Sequence, residues 1–140
     1  MASPFPFTSG QVLTAAELNE IGDWTTWTPT VTPLTGTITT LGTVVGRYCV
    51  VNGLLEGYID IPITTNGTGN GQIIFTLPAN ASTAPGGAFI GECREIAATG
   101  TLSVIWYDIT PGSARMNTFA NGYPGADGYR LVGHFRYEVA

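Results

Sequence analysis

The sequence predicts an all-β protein, an antiparallel β-sandwich or jelly roll with a short N-terminal helical leader. Three observations carry this reading. Residues 54–63 and 129–139 alternate apolar and polar side chains with the period of two that a half-buried strand requires. Clusters rich in Gly, Pro, Asn and Ser ("TTNGTGNG", "PANASTAPGG", "NGYPGADG") separate short β-branched and aromatic runs. Asn52-Gly53 joins two such runs with the dipeptide that favours a type I′ turn.

The first 24 residues differ from the rest. Thr14-Ala15-Ala16-Glu17 has the capping-box pattern: the Thr hydroxyl accepts from the amide three residues on, and Glu17 reaches back to the Thr14 amide. A helix is expected from Ala15 to about Ile21, stopped by Gly22. Two helical turns are marginal alone in water. The apolar residues around them, Phe5, Phe7, Val12, Leu13, Leu18, Ile21 and Trp24, therefore need a surface, either the chain's own domain or another molecule. The expected organisation is a leader over residues 1–24 and one β domain over 25–140, since 140 residues supply a single core.

Seven or eight strands follow. The first is expected at 27–32 and the next in the apolar run "TVVGRYCVV" ahead of the Asn-Gly turn. After the turn, Leu55, Gly57, Ile59, Ile61 and Ile63 share one face, with Leu54, Glu56, Tyr58 and Asp60 on the other. Further strands are expected at 72–77, 88–95, 101–109, 115–120 and 129–139. In the last, Leu131, Gly133, Phe135, Tyr137 and Val139 alternate with Arg130, Val132, His134, Arg136 and Glu138, so one face meets the core and the other meets water or a neighbour.

Composition narrows the function classes. Charged residues make up 11% of the chain, the formal net charge is −5, and the only cations are five Arg. Nucleic-acid binding needs a stripe of cations against phosphates, and anionic membranes need the same; neither partner is expected. The N-terminus lacks a basic region followed by an apolar stretch, so no targeting segment is read, and no run approaches the length of a membrane span. Cys49 and Cys93 lie in apolar strand-like segments with no metal-ligand spacing around them, which favours buried free thiols over a bridge.

The search for chemistry finds no catalytic, metal or cofactor site, so the chain is read as a non-enzyme. His134 is the single histidine, and Glu138 on the same strand face lies about 13 Å away at ~3.3 Å per residue; a solvated or interface-facing strand residue is the expectation. Glu92 and Glu95 fall on opposite faces of their strand and form no glycosidase pair. "NGTGNG" has phosphate-loop glycines without the Lys-Ser/Thr and helix that must follow. Trp24, Trp27, Trp106, Tyr107, Phe119 and Tyr123 are more aromatics than one small core must hold. Tyr123, Pro124 and Asp127, in a Gly-rich loop, are the candidate exposed contact residues.

Taken together, "FTSGQVLTAAELNEIGDWTTWTPTVT", "GRYCVVNGLLEGYIDI", "IIFTLPANA" and "YRLVGHFRYEVA" resemble the small β-sandwich virion proteins of tailed bacteriophages, of the tail-fibre, minor-tail or head-decoration type. The resemblance implies a homotrimeric β-sandwich located in the virion after assembly in the host cytoplasm, with no catalytic residues. It implies a leader that attaches to other virion proteins through Phe5, Phe7, Val12, Leu13, Leu18, Ile21 and Trp24. Two roles stay open: a short tail fibre or receptor-binding adhesin touching a host-surface glycan or protein, or a capsid decoration protein.

Overall fold

The computed structural model describes residues 22–78, 87–110 and 112–139, together with 9, 10, 12, 14 and 15. Glu17 of the predicted capping box and the helix beyond Ala15 lie outside the described residues. So do Phe5, Phe7, Leu13, Leu18 and Ile21.

Ten strands are described: β1 (Thr25–Trp27), β2 (Val31–Thr35), β3 (Thr40–Leu41), β4 (Val45–Val51), β5 (Leu54–Thr65), β6 (Asn70–Thr76), β7 (Phe89–Glu95), β8 (Leu102–Tyr107), β9 (Ser113–Thr118) and β10 (Arg130–Glu138). They form one hydrogen-bonded path, β1-β4-β5-β10-β7-β8-β9-β6-β2, with β3 paired to β5 off that path. Each pairing is antiparallel. The all-β antiparallel expectation holds, but the division into two sheets does not. Alternation along a strand tells which side chains are buried; it does not tell whether two buried faces belong to two sheets or to one sheet curled on itself.

The curl is visible in the aromatic core. Phe75 on β6 and Phe135 on β10 are separated by four strand positions along the path, about 19 Å in a flat sheet at ~4.8 Å per strand. Their rings lie 5.9 Å apart. The path's two ends also approach each other, because the Trp27 indole of β1 donates to the Thr76 carbonyl of β6 at 3.2 Å and its ring packs edge-on to Phe135 at 5.9 Å. The interior of the curl is filled by Leu55, Ile59, Ile61, Ile63, Ile73, Phe75, Ile105, Met116, Leu131 and Phe135, each almost fully buried. Each such side chain contributes roughly 1.5–3 kcal/mol.

Phe135 has room because its register partner is Gly57. A Cβ at Gly57 would overlap the phenyl ring, so the glycine that interrupts an otherwise apolar strand face is the floor of an aromatic pocket.

The predicted strand at 27–32 divides into β1 and β2. Pro29 stands in the break, where it cannot donate to a ladder, and the Thr30 amide is satisfied instead by the Thr76 hydroxyl at 2.9 Å. This short crossing carries the chain from one edge of the sheet to the other. The edge strand β2 contains Pro33, as an exposed edge tolerates. The two-residue β3 has no counterpart in the sequence reading. The Asn52-Gly53 turn forms as expected, with φ of 51° and 76°, both in the left-handed region that a type I′ turn needs. Cys49 and Cys93 are both buried and unbridged.

Candidate functional site

Strand alternation places a second, polar and aromatic set of side chains on the outer, convex face. Register aligns Arg47 of β4 with Tyr58 of β5, Tyr58 with His134 of β10, and His134 with Glu92 of β7. A neighbouring row runs Asp60, Val132, Arg94 and Leu102 across β5, β10, β7 and β8. Together these rows make a continuous outward surface across the middle of the sheet.

The aromatic members stack. The Trp24 ring centroid lies 5.1 Å from that of Tyr58, and Tyr58 lies 5.0 Å from the His134 ring. The Arg47 guanidinium sits over Trp24 at 5.8 Å, within the range of a cation–π contact. Trp24, placed in the leader by the sequence reading, thus packs on the sheet. It is 39% exposed.

His134 has an acidic partner after all. Its Nε2 lies 3.1 Å from Glu56 Oε1, on the adjacent strand and two residues from His134's register partner Tyr58, a diagonal pair on the same face. A search along one strand could not find it, because strand pairing brings together residues 78 positions apart. Both side chains are open to solvent, so the pair is a surface contact of modest energy.

Beside this pair lies a shallow groove of about 500 Å³, lined by Tyr58, Arg94, Leu102, Phe119, Val132 and His134 among others. Leu102 is 53% exposed and Phe119 is 73% exposed. For Leu102 the signal that could have marked it is the strand pattern itself, an apolar residue at a position where alternation calls for a polar one, whereas Phe119 follows β9 in a turn and carries no such signal.

The loop residues singled out in the sequence lie elsewhere. Pro124 is buried and Tyr123 half-buried, which corrects the expectation of an exposed contact loop; only Asp127 is exposed. The Tyr123 hydroxyl donates to Asn66 Oδ1 at 2.6 Å, and the Asn66 amide donates to Asp127 Oδ1 at 2.6 Å. Burial pushes the Tyr123 phenol up to about 12. These bonds clasp the "NGYPGADG" loop to the "NGTGNG" turn, so both segments brace one end of the sheet. Tyr107 is buried, whereas Val12 of the leader is 86% exposed.

Two buried acids also serve structure. The Glu95 carboxylate accepts from the amides of Ala97 (2.6 Å), Ala98 (3.0 Å), Thr99 (2.5 Å) and Gly100 (3.3 Å), and from the Arg130 amide at 3.3 Å. Burial alone would raise its pKa; the amides of Thr99, Ala97, Ala98 and Arg130 outweigh burial and hold it well below the usual carboxylate range. Asp108, 2% exposed, is bound by Arg115 Nε at 2.7 Å and by the Ser113 hydroxyl at 3.2 Å. Neither acid faces an open site. Among the described residues, no helix is long and apolar enough to cross a membrane.

No protein-family model and no curated protein matches the chain. Among solved structures, the crystal structure of the Dettilon tailspike protein (gp208) shares its fold, with a TM-score of 0.62 over 86% of this chain at 10% sequence identity. The chain spans about a quarter of that tailspike's length, 24%. At that identity the likeness is one of fold.

Proposed function

We propose that this chain is a structural and binding domain of a bacteriophage particle, associated with the tail, that acts through contact and not through catalysis. The observation that carries the reading is the fold likeness to a stretch of a phage tailspike over 86% of the chain. The convex face supports a contact role: stacked aromatics, exposed guanidinium groups and an open apolar groove are what a protein or glycan partner is held by. A non-catalytic role is supported by the acids. Glu95 and Asp108 are saturated by structural bonds, and His134 with Glu56 lies on an open sheet face without an enclosed substrate site.

Within this reading the domain is a trimeric short tail fibre or receptor-binding adhesin fixed to the particle by its leader. Immunogold electron microscopy of particles released from cells carrying the gene tests it. Gold at the tail is the expected result. Gold spread over the head would replace the tail role by capsid decoration, and unlabelled particles would overturn the virion assignment.

A further inference from the structure

The chain holds four Asn-Gly pairs: Asn52-Gly53, Asn66-Gly67, Asn70-Gly71 and Asn121-Gly122. In each, the glycine lacks the Cβ that would shield its amide nitrogen from the preceding side chain. The pairs are alike in sequence, and the fold makes them different. At Asn52 and Asn121 φ is 51° and 60°. A left-handed residue, with ψ of about +47°, turns its Cα–Cβ bond anti to the next amide nitrogen, so the carboxamide points away from it. Asn121 is held further, since its Oδ1 accepts from the Asn117 side-chain amide at 3.1 Å and the Gly122 amide donates to the Thr118 hydroxyl at 2.9 Å. Asn66 is clamped through both atoms of its carboxamide: Oδ1 accepts from the Tyr123 hydroxyl at 2.6 Å, and Nδ2 donates to the Gly69 carbonyl at 2.9 Å.

Asn70, the exposed first residue of β6, has neither restraint. The Gly71 amide donates to Asn70 Oδ1 at 2.7 Å. A C=O bond of ~1.23 Å then leaves the Gly71 nitrogen no more than about 4 Å from Asn70 Cγ, close to the ~3–3.5 Å of a reactive approach. We propose that Asn70 is a site of spontaneous deamidation, the one of the four pairs that the fold poises for reaction. Hydroxide takes the Gly71 N–H proton, and the nitrogen attacks Asn70 Cγ. The carboxamide C–N bond breaks, ammonia leaves, and a five-membered succinimide closes. Water then opens the ring at either carbonyl, giving aspartate or isoaspartate, so one water is consumed and one ammonia released without oxidation or reduction. The lesion falls where the sheet absorbs it. Asn70 pairs with Thr35 at the end of the β2–β6 ladder, beyond a bulge, and its carbonyl accepts from the Thr35 hydroxyl at 3.2 Å. In isoaspartate that carbonyl becomes the carboxylate and the backbone gains one methylene, while Val31, Thr32 and Pro33 keep their partners Phe75, Ile74 and Ile73. The product stays folded and carries one more negative charge on a chain whose formal net charge is −5. The inference does not depend on the virion reading, since the reaction needs only this chain and water.

Incubation of the full-length chain in mildly alkaline buffer, with and without urea, tests it by peptide mapping and mass spectrometry. In the folded protein Asn70 is expected to convert about tenfold faster than Asn52, Asn66 or Asn121, a modest share of what positioning supplies to a reaction. In urea the fold no longer distinguishes the pairs, and the four rates are expected to converge. Asn70→Gln, whose longer side chain would have to close a six-membered ring, is expected to abolish the acidic isoform with an unchanged β circular dichroism spectrum. Conversion of any of the other three as fast as Asn70 in the folded protein would overturn the proposal. So would an Asn70 that stays intact in the folded protein while the chain in urea reacts.

Discussion

Glu95 keeps its charge where burial works against it, because four amides of the loop it caps and the Arg130 amide converge on its two oxygens. Its folded pKa is depressed below the ordinary 4.5. A depressed carboxylate stabilises the fold fully above its unfolded pKa, and that stabilisation is lost as the pH falls through and below it. The urea midpoint should therefore drop between about pH 6 and about pH 3. Glu95→Gln should begin lower at the higher pH and fall less over the same interval; parallel curves would show that other carboxylates set the acid response. The thiols give a second residue-scale prediction. Burial, and then the Glu95 charge, pushes Cys93 up to about 12, and burial followed by Glu56 raises Cys49. Neither should react with a water-soluble disulfide reagent at neutral pH in the folded protein, and both should react in urea. Rapid native modification of either would mean that its strand opens locally.

At the scale of elements, the tip of the β4–β5 hairpin is held by its turn geometry and by the Val139 amide, which donates to the Gly53 carbonyl at 2.9 Å. Nothing lies within 4 Å of a Cβ placed on Gly53, so the cost of a side chain there comes from its φ of 76° and not from crowding. Gly53→Val should destabilise by more than about 1 kcal/mol in chemical denaturation, since a β-branched residue resists positive φ. Gly53→Asn should cost much less, because Asn tolerates the left-handed region. Strands were legible in the sequence wherever alternation was strict. Leu55 to Ile63 and Leu131 to Tyr137 are buried on the face their spacing indicated. What spacing could not show was pairing: that Pro29 divides one run between two sheet edges, or that Glu56 meets His134. The outer face was half legible. Glu56, Tyr58 and Asp60 were assigned to it from their parity, but the groove beside them depends on which strands become neighbours, and Tyr123 moved from contact residue to brace through a bond to Asn66 that only the fold creates.

For the whole molecule, Trp27 holds the curl. It belongs to β1, hydrogen-bonds to β6, and packs on Tyr48 and Phe135, so it ties one end of the strand path to the strand next to the other end and to the middle. Trp27→Ala should cost about 3 kcal/mol, the lower end for an aromatic truncation because the ring is only partly buried. Trp27→Phe should recover the packing share but not the bond to Thr76. A loss no larger than that of an exposed substitution would mean that the core closes without this contact.

The sheet's central ladder joins Leu54–Thr65 to Arg130–Glu138, two segments some 70 residues apart in the chain. During synthesis, β5 and β7 leave the ribosome long before the strand that fits between them. Until β10 arrives, both present unpaired edges and an apolar face carrying Leu55, Ile59 and Ile61. Closure is then a non-local event, slow by the standard of local hairpins, and on the order of milliseconds to seconds for all-β topologies. The nascent chain must stay soluble through that interval with few charges to protect it. Its window of vulnerability to aggregation lies before β10 is made, so slower translation or a holding chaperone should raise the soluble yield even where final stability is unchanged.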